Sequence, residues 1–269
     1  MKTKAELLTA VDQIPTFEFK EVALAPVGSM SPSKSGGDTW TQVPVAEARA
    51  ITEEGKNRPL TFVSGRYQLI QFKPAFEQII TEHSDCSGNL YYNEGFAVLD
   101  TFPQGEDYLL PNGQQIGISA YNSVNKTSAL IIRFSVTDGG RVFTLPKNIS
   151  SYYRAHVGQA AEQQKEYIQM LGRIKDMWIT AVNDMSKTPI TIDNWDTYAK
   201  QLTTNPRIMK AIKLEVAAGS NYNLWSLAMR IYDEMQKGFA KSDIHKRKRI
   251  DSFIESLTVW GTIFKIGGN

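Results

Sequence analysis

Apolar residues recur along this chain with two different periods, and the period changes near residue 146. In 128–137 (SALIIRFSVT), Leu130, Ile132, Phe134 and Val136 alternate with Ala129, Ile131, Arg133 and Ser135. A period of two is that of a strand with one face on a core. Asp138-Gly139-Gly140 follows as a tight hairpin signal, and RVFTL (141–145) pairs back. Phe96 to Leu99 and Ile116 to Tyr121 predict two more strands, with Asn112-Gly113 marking another turn. The simplest topology for 95–145 is an antiparallel meander.

Upstream, Leu7, Leu8 and Val11 give residues 3–13 a helical stripe that Pro15 ends. Phe17, Phe19, Val22 and Leu24 then read as a strand. The segment GSMSPSKSGGD (28–38) predicts a mobile loop. Residues 60–72 hold two short apolar runs around Ser64-Gly65, and Pro74 stands at a helix start followed by Phe76, Ile79 and Ile80.

Beyond Pro146 the spacing becomes three, four and seven. Val157, Ala161, Ile168, Leu171, Trp178, Val182 and Met185 predict a long helix over 157–185. Three shorter helices follow, over 206–217 (Ile208, Met209, Ile212, Val216), 222–237 (Leu224, Trp225, Ala228, Ile231, Tyr232, Met235) and 246–264 (Ile250, Phe253, Ile254, Leu257, Phe264). Gly219-Ser220-Asn221 offers a C-cap and then an N-cap. Trp178, Trp225 and Trp260 lie on or near these stripes and read as core. The expected class is α+β: a mostly β domain over 1–150, then a mostly helical region over 151–269 that either shares its core or stands apart.

Composition narrows the class without choosing a function. The chain has 269 residues, 42% of them apolar and 22% charged, which excludes a wholly disordered chain, a collagen and a disulfide miniprotein. A single cysteine, Cys86, rules out an intramolecular disulfide framework and suits a reducing cytosol. The start MKTKAELLTAVDQIP lacks the apolar run of a secretory signal, and no stretch approaches the length of a membrane span. A cytoplasmic protein is expected, with no membrane partner. Net charge is +2, but unevenly spread. Residues 1–150 hold 13 Lys/Arg against 16 Asp/Glu, and the remainder hold 17 against 12, so an acidic partner would meet the second half.

The motifs of several enzyme classes are missing. The chain has no P-loop, no dinucleotide-binding G-x-G-x-x-G, no G-x-S-x-G, no H-E-x-x-H and no C-x-x-C. His83 and Cys86 make half of a zinc site, and a second pair of ligands is not found. Glu18-x-Lys20, with Asp12, Glu94 and Asp100 as further acids, is the only material for a magnesium nuclease, and it fits better as solvated charge beside Phe17 and Phe19. No catalytic residue is assigned and no cofactor is expected. The stronger signals are basic. Lys246, Arg247, Lys248 and Arg249 open the last helix, where the dipole does not favour cations. Such a run suits phosphate contact or a solvated helix end. Tyr152, Tyr153 and Arg154, with Lys147 just before, join aromatics to cations at the switch from strand to helix, which suits base stacking or an interfacial tyrosine pair. Arg133 lies on the strand face opposite the expected core, and Arg141 lies across its hairpin.

Several stretches resemble the phage- and plasmid-related proteins grouped as the domain of unknown function 932. They are VSGRYQLIQFKPAFEQI (63–79), the strand–turn–strand RFSVTDGGRVFTLP with a helix opening near His156, GSNYNLWSLAMRIYDEM (219–235), and the basic segment from Arg247 to Trp260. The resemblance covers the chain from about residue 60 onward and departs from the family pattern at Asn122 to Thr127. It implies a phage or mobile-element protein made in a bacterial cytoplasm, and it carries no catalytic residues. The order of strands and long helix is also similar to that of the Rad52-like single-strand annealing proteins, which assemble as oligomers. The leading expectation is a DNA-binding accessory protein that prefers single strands, anneals them and forms a homo-oligomer. A protein-interaction module, such as an inhibitor of a host defence or a self-assembling protein, is the alternative. A metal-dependent nuclease is third.

Overall fold

In the computed structural model the meander is present and belongs to a larger sheet. The structure describes residues 1–21, 28–31, 39–42, 48–64, 67–111, 113–125, 130–144, 151–154, 175–196, 206–237 and 243–256. A short strand β1 (Lys2–Thr3) leads into helix α1 (Lys4–Asp12), whose first turn is closed by reciprocal Thr3 and Glu6 caps. Strands β2 (Phe17–Glu21), β5 (Ala48–Glu53) and β6 (Pro59–Ser64) form a three-stranded antiparallel sheet in that order. Helix α2 (Phe72–Thr81) buries Phe72, Phe76, Ile79 and Ile80. It begins two residues before Pro74, so the proline occupies the first turn, where its missing N–H costs nothing. Part of the expected 28–38 loop is regular: β3 (Gly28–Ser31) pairs with β4 (Thr39–Gln42). Residues 32–38 lie outside the described set.

Four long strands follow: β7 (Cys86–Asn93), β8 (Phe96–Pro103), β9 (Gln115–Ser123) and β10 (Leu130–Asp138), then β11 (Arg141–Thr144). Consecutive members pair antiparallel, with β1 outside β7. The Asp138–Arg141 turn has Gly139 at φ 55° and Gly140 at φ 83°, a conformation that explains both glycines. The outer edge of β10 is shared. Its C-terminal half pairs with β11 and its N-terminal half with β12 (Ser151–Arg154).

The helices are α3 (Lys175–Lys187), α4 (Pro206–Ala217), α5 (Leu224–Lys237) and α6 (Asp243–Ser256), with a two-stranded pairing of β13 (Pro189–Ile190) and β14 (Tyr222–Asn223) before α5. Only the end of the expected 157–185 helix is described, and there Trp178, Val182 and Met185 are buried as the stripe requires. One cluster of buried side chains runs from Leu7 through Phe76, Leu99, Ile118, Phe134, Trp178 and Trp225 to Ile250. The core is thus continuous across residue 150. Helix α5 seals the sheet edge: the Tyr232 hydroxyl accepts the β11 Val142 N–H at 3.1 Å, and Phe143 stacks on Trp225 and Tyr232 at 4.8 and 5.3 Å. The chain is an α+β protein. Among the described residues no helix is long and apolar enough to cross a membrane.

Candidate nucleic-acid interface

The strand registers divide the large sheet into two faces. Leu130, Ile132, Phe134 and Val136 face the main core, as their alternation requires. The other face carries the polar Asp100, Ser119, Arg133, Ser135 and Thr144 beside Phe96, Val98, Tyr121 and Ile131. Alternation predicts that the Arg133 side of β10 meets water. It does not: Arg133 is 3% exposed and Asp100, Ser119 and Ser135 are fully buried. The cover is α6. Ile244 and Ile250 fall three residues either side of Arg247, so the helical stripe that turns them inward turns Arg247 inward as well.

Arg247 therefore sits in an ion cluster on the sheet. Its Nη2 donates to Asp100 Oδ1 at 3.0 Å and to Ser119 Oγ at 3.2 Å. Its Nη1 donates to Asp251 Oδ1 at 2.8 Å and to the Val142 carbonyl at 3.3 Å. Ser119 Oγ also donates to Asp100 at 2.5 Å, and the Tyr121 hydroxyl donates to Asp251 Oδ2 at 2.9 Å. The Arg133 guanidinium lies 5.0 Å from the centre of the Tyr121 ring. Burial opposes the charge on Arg247, but the Asp100 and Asp251 carboxylates outweigh it and hold the guanidinium well above its usual range. Burial raises the Asp251 carboxyl, partly offset by Arg247. Burial also keeps the Tyr121 phenol protonated, as a donor must be.

The basic residues singled out in the sequence thus separate into two groups. Arg247 and Arg133 are interior. Arg141 forms a two-pronged pair with Asp233 on α5, both contacts at 2.7 Å. Burial of Arg133 and Arg247 corrects their expected role as surface phosphate contacts, while Arg141 is partly exposed and held by Asp233. Of the neighbours of Arg247, Lys246 is half-buried, while Lys248 and Arg249 are exposed. Lys248 Nζ stands 3.6 Å over the Phe96 ring, and burial against the sheet lowers its pKa. Tyr152, Tyr153 and Arg154 lie on β12, where the register sets residue 153 opposite Ile131. Residue 147 lies outside the described set.

The residues considered for metal chemistry stay apart. Glu18 pairs with Lys20 at 3.4 Å on the small sheet, Glu94 sits in the β7–β8 turn, and Asp100 is committed to Arg247. His83 and Cys86 are both buried. Among the described residues no three His, Cys, Asp or Glu converge as metal ligands would. Asp251, Ser119 and Tyr121 had no distinguishing sequence motif. The available signal was Arg247 on an apolar stripe with an acid one turn later. Comparison with protein-family models, with curated proteins and with solved structures returns no match. The family resemblance rests on its motifs alone.

Proposed function

We propose that the protein binds nucleic acid, single strands in preference, as an accessory factor in the replication or recombination of a phage or other mobile element. The observation that carries this reading is the seating of α6. Arg247 anchors the helix by a buried ion cluster, and around it Arg249 is exposed, Lys246 is half-buried and Lys248 is exposed with its ammonium over the Phe96 ring, so three further cations stand on a fixed support. Cations held in place lose less freedom on binding phosphate than cations on a loose tail. Strand β12 brings Tyr152, Tyr153 and Arg154 into the same sheet, supplying residue types that stack on bases and pair with phosphate. Lys147 belongs to the same reading. Annealing by base pairing on a protein-organised strand would need no cofactor. The mobile-element setting comes from the family resemblance.

Fluorescence anisotropy with labelled single-stranded and duplex DNA at two salt concentrations tests the proposal. Binding should weaken steeply with salt. The triple variant Lys246→Ala/Lys248→Ala/Arg249→Ala should bind less tightly and lose about 2 from the slope of log affinity against log salt, since each single-strand phosphate contact contributes about 0.7. Binding that is flat in salt, or unchanged in the triple variant, defeats this assignment.

A further inference from the structure

The buried apolar side chains fall into two clusters, one on each face of the large sheet. The main cluster packs the inner face against α1, α2, α3, α4 and α5. On the opposite face Phe96, Val98 and Tyr121, with Tyr91 and Ile131 beside them, pack against Ile244 of α6. Among the described residues, Ile250 is the α6 side chain that reaches the main cluster. Helix α5 differs: Leu224, Trp225, Leu227, Ala228, Ile231 and Tyr232 all bury from it.

Much of the α6 seat is polar. Arg247 and Asp251 of the helix meet Asp100, Ser119 and Tyr121 of the sheet, and Thr144 Oγ1 donates to Asp251 Oδ1 at 3.4 Å. Removing one member of such a cluster strands a charge in the interior, but parting the two sides together strands none, because water takes up both. Two of its atoms, Asp100 Oδ2 and Arg247 Nε, are buried without a hydrogen-bond partner, and separation would hydrate them too. Elements that open alone are those with few buried apolar contacts. Lifting α6 opens the small cluster and the ion cluster and leaves nearly all of the main one closed.

We infer that α6 is a releasable cover. It lifts from the sheet as one unit while the main core stays folded, exposing Asp100, Ser119, Tyr121 and Arg133. Seated, it holds Lys246, Lys248 and Arg249 in place; lifted, it gives up that support, so release regulates the nucleic-acid site. That regulatory link rests on the reading proposed above, whereas the release itself does not.

Hydrogen exchange of the wild-type protein, read by mass spectrometry at low urea concentrations, tests the release. The amides of 243–256 should exchange through one shared opening, at least about tenfold more frequent than the opening that exposes β9. Ile118→Val, on the core side of β9, loosens the main core alone. It should speed exchange in β9 by about threefold or more and leave α6 as it was. Asp251→Asn should speed exchange across α6 about tenfold. Exchange of α6 at the β9 rate, or rising in step with β9 in Ile118→Val, overturns the release, as does exchange graded inward from the helix ends without a shared urea dependence. A single-stranded oligonucleotide that binds with salt-dependent affinity should slow exchange in α6. Binding that leaves α6 exchange unchanged overturns the regulatory link alone, and no binding overturns that link together with the nucleic-acid reading while the release stands on the exchange pattern.

Discussion

Arg247 and its neighbours show how far a residue's role depends on which way a helix turns. Four consecutive cations read alike in sequence, yet Arg247 is interior, Lys246 half-buried, and Lys248 and Arg249 exposed. Removing Arg247 leaves Asp100 and Asp251 buried without their common partner. Arg247→Ala should therefore cost about 3–5 kcal/mol of unfolding free energy. Lys246→Ala should cost less than about 1 kcal/mol, as an ordinary surface change does. Urea titrations of the two variants check this; equal losses would mean that Arg247 is not carrying the cluster. His83 gives a prediction in pH. Burial first, and Lys4 second, push its imidazole down to about 4 from an ordinary 6.5. The folded protein thus holds His83 neutral at pH values where the unfolded chain protonates it. The stability it contributes is complete above about pH 6.5 and is lost as pH falls toward 4, up to about 3 kcal/mol. The urea midpoint should fall between pH 7 and 4.5, and His83→Leu should narrow that fall.

At the scale of elements, strong periodicity was legible and short polar segments were not. The stripes of α1, α4 and α5 and the alternation of β10 appear where the sequence puts them, because each buries a face large enough to decide its conformation. β7, with Ser87, Gly88 and Asn89 near its start, has no such alternation and is made a strand by pairing along its whole length with β8. The helix caps show a smaller displacement. Gly219, at φ 90°, ends α4 as expected, but the chain then spends Tyr222 and Asn223 on β14 before turning. The N-cap of α5 is thus Asn223, whose Oδ1 accepts the Ser226 N–H at 2.8 Å while Ser226 Oγ accepts the Asn223 N–H at 2.9 Å. Asn223→Ala should cost about 1 kcal/mol in thermal or urea unfolding, and Asn221→Ala, exposed and outside the cap, a few tenths at most. A reversal of that order would return the cap to the position the sequence suggests.

For the whole molecule, the α+β class and the order of strands before helices follow from the two periods, but the shared core does not. Alternation in one strand says that its two faces differ; it cannot say that a helix more than a hundred residues later returns to cover the polar one. This is why Arg133 and Arg247 read as surface charges until the sheet and α6 are seen together. The same return leaves Lys248 and Arg249 exposed, where salt-dependent DNA binding tests them. The distance along the chain has a further consequence for synthesis. Arg247 and Asp100 are 147 residues apart, so a ribosome completes the large sheet well before its cover exists. An apolar face left open for that interval would invite aggregation. Asp100, Ser119, Arg133 and Ser135 tolerate water while they wait, and the arrival of α6 turns this part of the sheet from a hydrated surface into an interior.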